Sequence, residues 1–143
     1  MSYSNPMRET YTLVAVDFSA APSSVSIQAP AGYENARIED AGVNNISVEF
    51  AADTTAPLIQ VGDGTTADLY AAIPIPDGAV VGSGSSSRAL AGANESGGLG
   101  GSGENYVVVS DLTDGQLVIT YTQAVDGTAA AGTGVPYITV AWF

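Results

Sequence analysis

Apolar and polar positions alternate along this chain in short runs, separated by clusters of Gly, Pro, Asp and Asn. Alternation with period two marks a half-buried strand, because successive side chains point to opposite faces of a sheet. A first β-type run covers Thr10 to Phe18, where Tyr11, Leu13, Val14, Val16 and Phe18 supply bulk before Ala20-Ala21-Pro22. Ser24 to Gln28 alternates cleanly and stops at Pro30 and Gly32. Ala36 to Ala41 reads as a third strand ending at Gly42, and Ile46, Val48 and Phe50 form one face of a fourth. Leu58 to Val61 follows Pro57 and runs into Gly62-Asp63-Gly64. From Leu69 to Ile75 two readings stand: a short helical turn capped by Thr65 or Thr66, or a loop leading into a strand.

Tyr106 to Val109 begins the second half, followed by a turn at Asp114-Gly115 and a strand over Gln116 to Val125. There Leu117, Ile119 and Tyr121 share one face, and Val118, Thr120 and Thr122 the other. A flexible segment, Asp126 to Gly134, leads to a terminal strand from Tyr137 to Phe143. About eight to ten short strands with frequent turns and no long amphipathic helix predict an all-β fold. The expected architecture is a single antiparallel β-sandwich domain, jelly-roll-like in character, with a closed barrel the less favoured alternative.

Two segments fall outside that pattern. Residues 1–9 precede the first run and read as an N-terminal arm to a sandwich domain over 10–143. Residues 82–105 are dominated by Gly and Ser, too poor in large apolar side chains to bury a face, and read as a long flexible loop.

The charge balance narrows function further. Fifteen acidic residues oppose three basic ones, for a net charge of −12. The basic residues are Arg8, Arg37 and Arg88, too few and too scattered to neutralise a phosphate backbone, so no nucleic-acid partner is expected. An anionic membrane surface would repel the chain as well. No run approaches the roughly 18 apolar residues of a membrane helix. The polar opening Met1 to Thr10 carries no secretory pattern, so synthesis in a cytoplasm is expected.

Histidine, cysteine and lysine are all absent. The usual base of a nucleophilic triad, thiolate and imidazole metal ligands, and Schiff-base chemistry are therefore missing. Gly97 to Gly103 lacks the Lys-Ser/Thr of a phosphate loop. Paired carboxylates remain the one catalytic option. They fall mainly in turns or at solvent-facing strand positions such as Glu49, and the single tryptophan leaves little for an aromatic-lined carbohydrate cleft. The expectation is a non-enzyme with no cofactor and no metal. Four Asp-Gly pairs, at 63–64, 77–78, 114–115 and 126–127, read as turns. None lies in the spacing of a calcium loop. Asn45-Ile46-Ser47 and Asn94-Glu95-Ser96 match glycosylation sequons but follow no secretory signal.

Such a domain has surfaces to offer rather than reactivity. Tyr3, Met7 and Arg8 in the arm, with Arg88 and Leu99 in the long loop, are the candidate interface residues, being of adhesive type in segments without self-sufficient structure. At both ends, though not in the middle, the chain resembles small virion proteins of tailed bacteriophages, above all head decoration (cement) proteins. The resemblance is carried by Asn5-Pro6-Met7-Arg8-Glu9-Thr10-Tyr11, by Val16-Asp17-Phe18-Ser19, by Val25-Ser26-Ile27-Gln28-Ala29-Pro30-Ala31-Gly32, and by Gly134-Val135-Pro136-Tyr137-Ile138-Thr139-Val140-Ala141-Trp142-Phe143. It is a likeness of texture and brings no catalytic residues. It implies a homo-oligomer, trimer or dimer, that binds the major capsid protein on the surface of the assembled virion and stabilises the shell. Alternatives are another virion component (minor capsid protein, head fibre or tail protein) and a carbohydrate-binding or adhesin-like module.

Overall fold

The computed structural model describes residues 6–20, 23–51, 57–75, 87–88, 107–122 and 131–143. Among the described residues, ten strands run in the order β1 (Met7–Thr12), β2 (Val16–Asp17), β3 (Ser23–Gln28), β4 (Ala36–Ala51), β5 (Leu58–Gly62), β6 (Ala71–Pro74), β7 (Ser87–Arg88), β8 (Val107–Val109), β9 (Gln116–Thr122) and β10 (Ala131–Trp142). They form two antiparallel sheets, and the described residues contain no α-helix. The protein is an all-β sandwich.

One sheet, here sheet I, is built on β10 and β4. β1 and β2 line the far side of β10, while β7 and β8 line the far side of β4. The other, sheet II, has the order β3-β9-β5-β6. The chain crosses repeatedly between the layers, so neither sheet is complete until β9 and β10 arrive. Phe18, directly after β2, meets Phe50 of sheet I and Tyr121 of sheet II edge to face, with ring centroids 5.1 Å and 5.7 Å away. Ile38, Val43, Ile46, Ile138, Val140 and Trp142 face Ile59, Val61, Ile73, Leu117 and Ile119 across the same core. Edge-to-face aromatic packing adds roughly 0.5–1.5 kcal/mol per pair beyond area burial.

Several sequence expectations change here. Ala36–Ala41 and the run beginning at Ile46 are one sixteen-residue strand, and Gly42 does not end it. Gly42 pairs with Tyr137 on one side and Arg88 on the other, so the ladders on both flanks carry the chain through. The single face expected for Ile46, Val48 and Phe50 is also broken. Ile46 and Phe50 are buried, but Val48 is 46% exposed. Extra residues enter β4 relative to β10 between the Val135–Asn44, Thr133–Val48 and Ala131–Ala51 pairs, and Asn45 adopts a left-handed φ of 48°. Each bulge resets which side chains point inward.

The Thr10–Phe18 run is interrupted at 13–15, opposite Pro136, a residue with no N–H to offer a ladder. Pairing starts at Met7 with Trp142, so residues 7–9, read as arm, belong to β1. β10 begins at Ala131, not at Tyr137. Between β5 and β6 the chain makes bends and a turn, and the strand reading of 69–75 holds at Ala71–Pro74. Asp63 starts that turn, its carboxylate accepting the N–H groups of Thr65 and Thr66 at 2.8 Å. Asp114-Gly115 lies in a 3-10 turn, Thr113–Gly115, between β8 of sheet I and β9 of sheet II. It is therefore a crossing between layers and not a hairpin. The pairs at 77–78 and 126–127, Asn94 and most of 82–105 lie outside the described residues; of that loop, residues 87–88 pair with β4.

Candidate functional site

The two sheets differ sharply in charge. The strands of sheet II, SSVSIQ, LIQVG, AAIP and QLVITYT, contain no Asp, Glu, Lys or Arg. Sheet I carries Arg8, Glu9, Asp17, Arg37, Glu39, Asp40, Glu49 and Arg88 on its strands.

Register places side chains on the outer face of sheet II in rows. Ser24, Thr120, Gln60 and Ala72 are successive neighbours across all four strands. Beside them Gln28 donates from Nε2 to Gln116 Oε1 at 2.8 Å, across directly paired positions. A third row, Ser26–Val118–Gly62, is covered at one end by the 63–70 turn. That turn packs so closely on buried Gly62 that a Cβ there would lie 1.9 Å from the Thr66 carbonyl oxygen. The strands thus present hydroxyl, amide and methyl groups, with Asp63 and Asp68 confined to the turn at one end. They can exchange neutral hydrogen bonds and bury area without desolvating an ion, which is the costly step in forming an interface.

Sheet I has the opposite character. Arg8, Ala141 and Arg37 are aligned across β1, β10 and β4, and the small Ala141 leaves room for both guanidinium groups to converge on Glu39. Arg8 Nε and Arg37 Nη2 each lie 2.5 Å from a Glu39 oxygen. The Arg8 hydrogen bond, with a smaller contribution from Arg37, holds the Glu39 carboxyl below the usual glutamate range. Next to this row, Thr10 and Thr139 share a hydroxyl hydrogen bond of 2.8 Å. On the inner side of β1, Trp142 Nε1–H donates to Tyr11 Oη at 3.0 Å, and the Tyr11 hydroxyl donates to the Glu9 carboxylate. Burial, then the Glu9 hydrogen bond, pushes the Tyr11 phenol up to about 12.

At one end of the sandwich, Tyr33, Glu34, Asp111, Leu112, Asp114 and Gly115 line an open cleft of about 370 Å³. Asp111 and Asp114 both hold left-handed φ values, 55° and 53°. The cleft is tied down by Asn35, whose Oδ1 accepts the Asp111 N–H at 3.1 Å and whose backbone exchanges hydrogen bonds with Phe143. No group of three or more His, Cys, Asp or Glu side chains placed to hold a metal occurs among the described residues.

Of the residues read as interface from sequence, Met7 and Arg8 lie on opposite faces of β1. Met7 is partly buried and packs against the core. Arg8 is on the outer face of sheet I, 66% exposed and engaged with Glu39. Arg88 sits in β7, paired with Gly42. Tyr3 and Leu99 lie outside the described residues. The neutral face of sheet II was not anticipated, although its signal is in the sequence: the windows 19–33, 57–62, 69–76 and 115–125 hold no charged residue in a chain of net charge −12.

Fold and surface together define a two-sheet β-sandwich in which the strands of one layer carry charge and those of the other carry none. No family model, curated protein or solved structure matches the chain.

Proposed function

We propose that this protein is a non-enzymatic virion structural protein that binds the assembled capsid of a tailed bacteriophage as a decoration protein. The observation that carries the proposal is the absence of charge from all four strands of sheet II on a strongly acidic chain. A protein with fifteen acidic residues and three arginines is repelled by most acidic partners unless it meets them through a neutral surface. The resemblance of both chain ends to cement proteins points the same way. In this reading sheet II faces the major capsid protein and the ionic sheet I faces solvent, where net negative charge keeps dense particles apart. A ligand that binds only the assembled shell stabilises it by mass action, and repetition over a symmetric lattice multiplies a modest contact. The protein is made in the host cytoplasm and resides on the capsid surface, without cofactor or metal.

The test is cosedimentation of the purified chain with shells assembled from the major capsid protein of the same source, against unassembled subunits. Saturable binding to shells in many copies, no binding to subunits and a raised shell melting temperature are expected. Paired Gln60→Glu and Thr120→Glu substitutions should weaken binding by at least about tenfold, since each buries an unpaired charge worth more than 1.4 kcal/mol. Absence of shell binding overturns the reading. Few copies at a single vertex would indicate a tail component, and glycan affinity lost on removal of an exposed tyrosine would indicate a carbohydrate module.

A further inference from the structure

The two edges of sheet II are not alike, and neither resembles the β1 edge of sheet I. β1 carries Arg8 outward and Glu9 on its partly buried inner side, an inward charge of the kind that discourages edge-to-edge pairing. β6 ends on Pro74, which has no N–H. β3 has no charge, no proline and no bulge, and among the described residues it pairs with β9 alone. Ser23, Ser24, Val25, Ser26 and Gln28 are all exposed, and Ile27 alone in this strand is buried. Val25 is notable because its partner in register, Ile119, points into the core and is 1% exposed, whereas Val25 itself is 38% exposed. The sandwich gapes at this edge and leaves an inward apolar side chain at its lip.

The free hydrogen-bonding groups of the edge can be assigned. Ala29 N–H donates to the Gly115 carbonyl at 2.8 Å, one step beyond the Gln28–Gln116 pair. Because N–H and C=O of successive strand residues point to alternate sides, Ser23, Val25 and Ile27 address β9. Ser24, Ser26 and Gln28 then present their N–H and C=O groups outward.

We infer that β3 is the seam of a two-fold symmetric dimer, in which β3 of one copy pairs antiparallel with β3 of a second about an axis at Ser26. This register matches every outward group with a partner. Ser26 exchanges both hydrogen bonds with the partner subunit's Ser26, and Ser24 does so with the partner subunit's Gln28. On the inner side, Val25 lies opposite the partner subunit's Ile27, closing the lip. The strand is thus complementary to itself, as an isologous interface requires. Charge selects a second copy as the occupant. Two chains of net charge −12 repel each other wherever acidic surfaces meet, and residues 19–33, which include all of β3, carry no charge. The two sheets II would merge into one continuous eight-stranded neutral layer, doubling the candidate docking face. The dimer does not depend on the capsid reading and is tested in free solution.

The full chain is measured by sedimentation equilibrium across a wide concentration range, beside three variants. Wild type should dimerise. Ser26→Pro removes an outward N–H that β9 does not use, so it should retain the buried Trp142 emission and be monomeric. Ser26→Cys adds the sole cysteine of a cysteine-free chain. Facing residues of a hydrogen-bonded antiparallel pair have Cα atoms about 5.5 Å apart, within disulfide range. Under mild oxidation it should cross-link at least about 100-fold faster than Val48→Cys, exposed on sheet I, because a millimolar local concentration replaces a bulk of about 10 µM. A wild-type chain that stays monomeric throughout overturns the inference. So does a dimer that survives Ser26→Pro, or equal cross-linking of the two cysteine variants.

Discussion

Gly62→Ala isolates the contact that shapes the neutral face. An ideal Cβ at this position would lie 1.9 Å from Thr66 O and 2.7 Å from Ala67 O, both backbone atoms. Ordinary C···O contacts close at about 3.3 Å, so the 63–70 turn must retreat by roughly 1.4 Å. The turn cannot yield by rotating a side chain. It is anchored by the Asp63 carboxylate at Thr65 and Thr66, and by Tyr70 N–H donating to Val61 O at 2.9 Å. Overpacking of a tight site costs about 1–3 kcal/mol, and loss of the Tyr70–Val61 bond about 1 more. The expected destabilisation is therefore about 2–4 kcal/mol. With a urea m-value of about 2 kcal/mol/M, the midpoint should fall by about 1–2 M at unchanged slope. The melting temperature should fall by about 6–12 °C for a domain of this size. Gly32→Ala is the comparison: its φ is +88° but nothing lies within 4 Å of the added Cβ. Only the left-handed penalty of about 1–2 kcal/mol applies there. A Gly62→Ala protein within 0.5 kcal/mol of wild type would refute the packing argument and the placement of the turn over Val118.

Tyr121 is 3% exposed and its hydroxyl has no hydrogen-bond partner among the described residues. Tyr121→Phe should therefore be neutral or stabilising by up to about 1 kcal/mol in urea denaturation; a loss above 1 kcal/mol would reveal a partner for that hydroxyl. Burial also raises the Tyr121 phenol, and Tyr11 is pushed up to about 12, so both are held neutral in the folded state. The stability they contribute is complete below the unfolded tyrosine value of about 10. It is lost as pH climbs from there through the folded values. Spectrophotometric titration should find at least two of the seven tyrosines ionising late, with unfolding; seven phenols ionising together at about 10 would contradict this. Trp142→Phe removes the indole N–H from Tyr11 and an edge-to-face contact at 6.3 Å, and should cost about 2–3 kcal/mol by thermal melting. Added salt should strengthen self-association measured by sedimentation, because it screens repulsion between acidic chains without touching a neutral seam; weakening by salt would point to an ionic interface.

The all-β class was legible because alternation repeats in so many runs, and in β9 the expected inner face is observed: Leu117, Ile119 and Tyr121 are buried, while Val118 on the other face is also only 8% exposed. Gln116 to Thr122 has a straight ladder on both flanks, so its side chains keep alternating between faces. β4 was misread for the complementary reason. Its register against β10 slips more than once, and a bulge leaves no mark in hydrophobic periodicity beyond an Asn able to hold a left-handed φ. Glycine was over-read as a stop at Gly42, where two neighbouring strands outweigh a weak local preference. The Asp-Gly pairs show the limit of turn chemistry. It predicted that the chain bends at Asp114, but which sheet the chain enters next depends on long-range pairing that no dipeptide encodes. Tyr3 and Leu99 were chosen for residue type alone, and Met7, chosen the same way, packs inward because β1 begins three residues earlier than the alternation suggested.

The distribution of charge connects fold to function more directly than any single residue. A sandwich needs each sheet apolar on its inner face only, so the outer faces are free to carry whatever the surroundings reward. On sheet I that freedom is used in the ordinary way, with Glu39 bridging two arginines across three strands. On sheet II it is not used at all, although four strands from distant parts of the chain had to remain uncharged together. Stability does not require this, since exposed charges on a strand face cost little and protect solubility. Aggregation would in fact be discouraged by placing a lysine or glutamate on β3. A face kept neutral against that pressure, beside an edge kept open, fits a surface that spends its working life covered. In the proposed assembly the open edge would take a second copy, and the outer face of the resulting layer would take a larger protein surface.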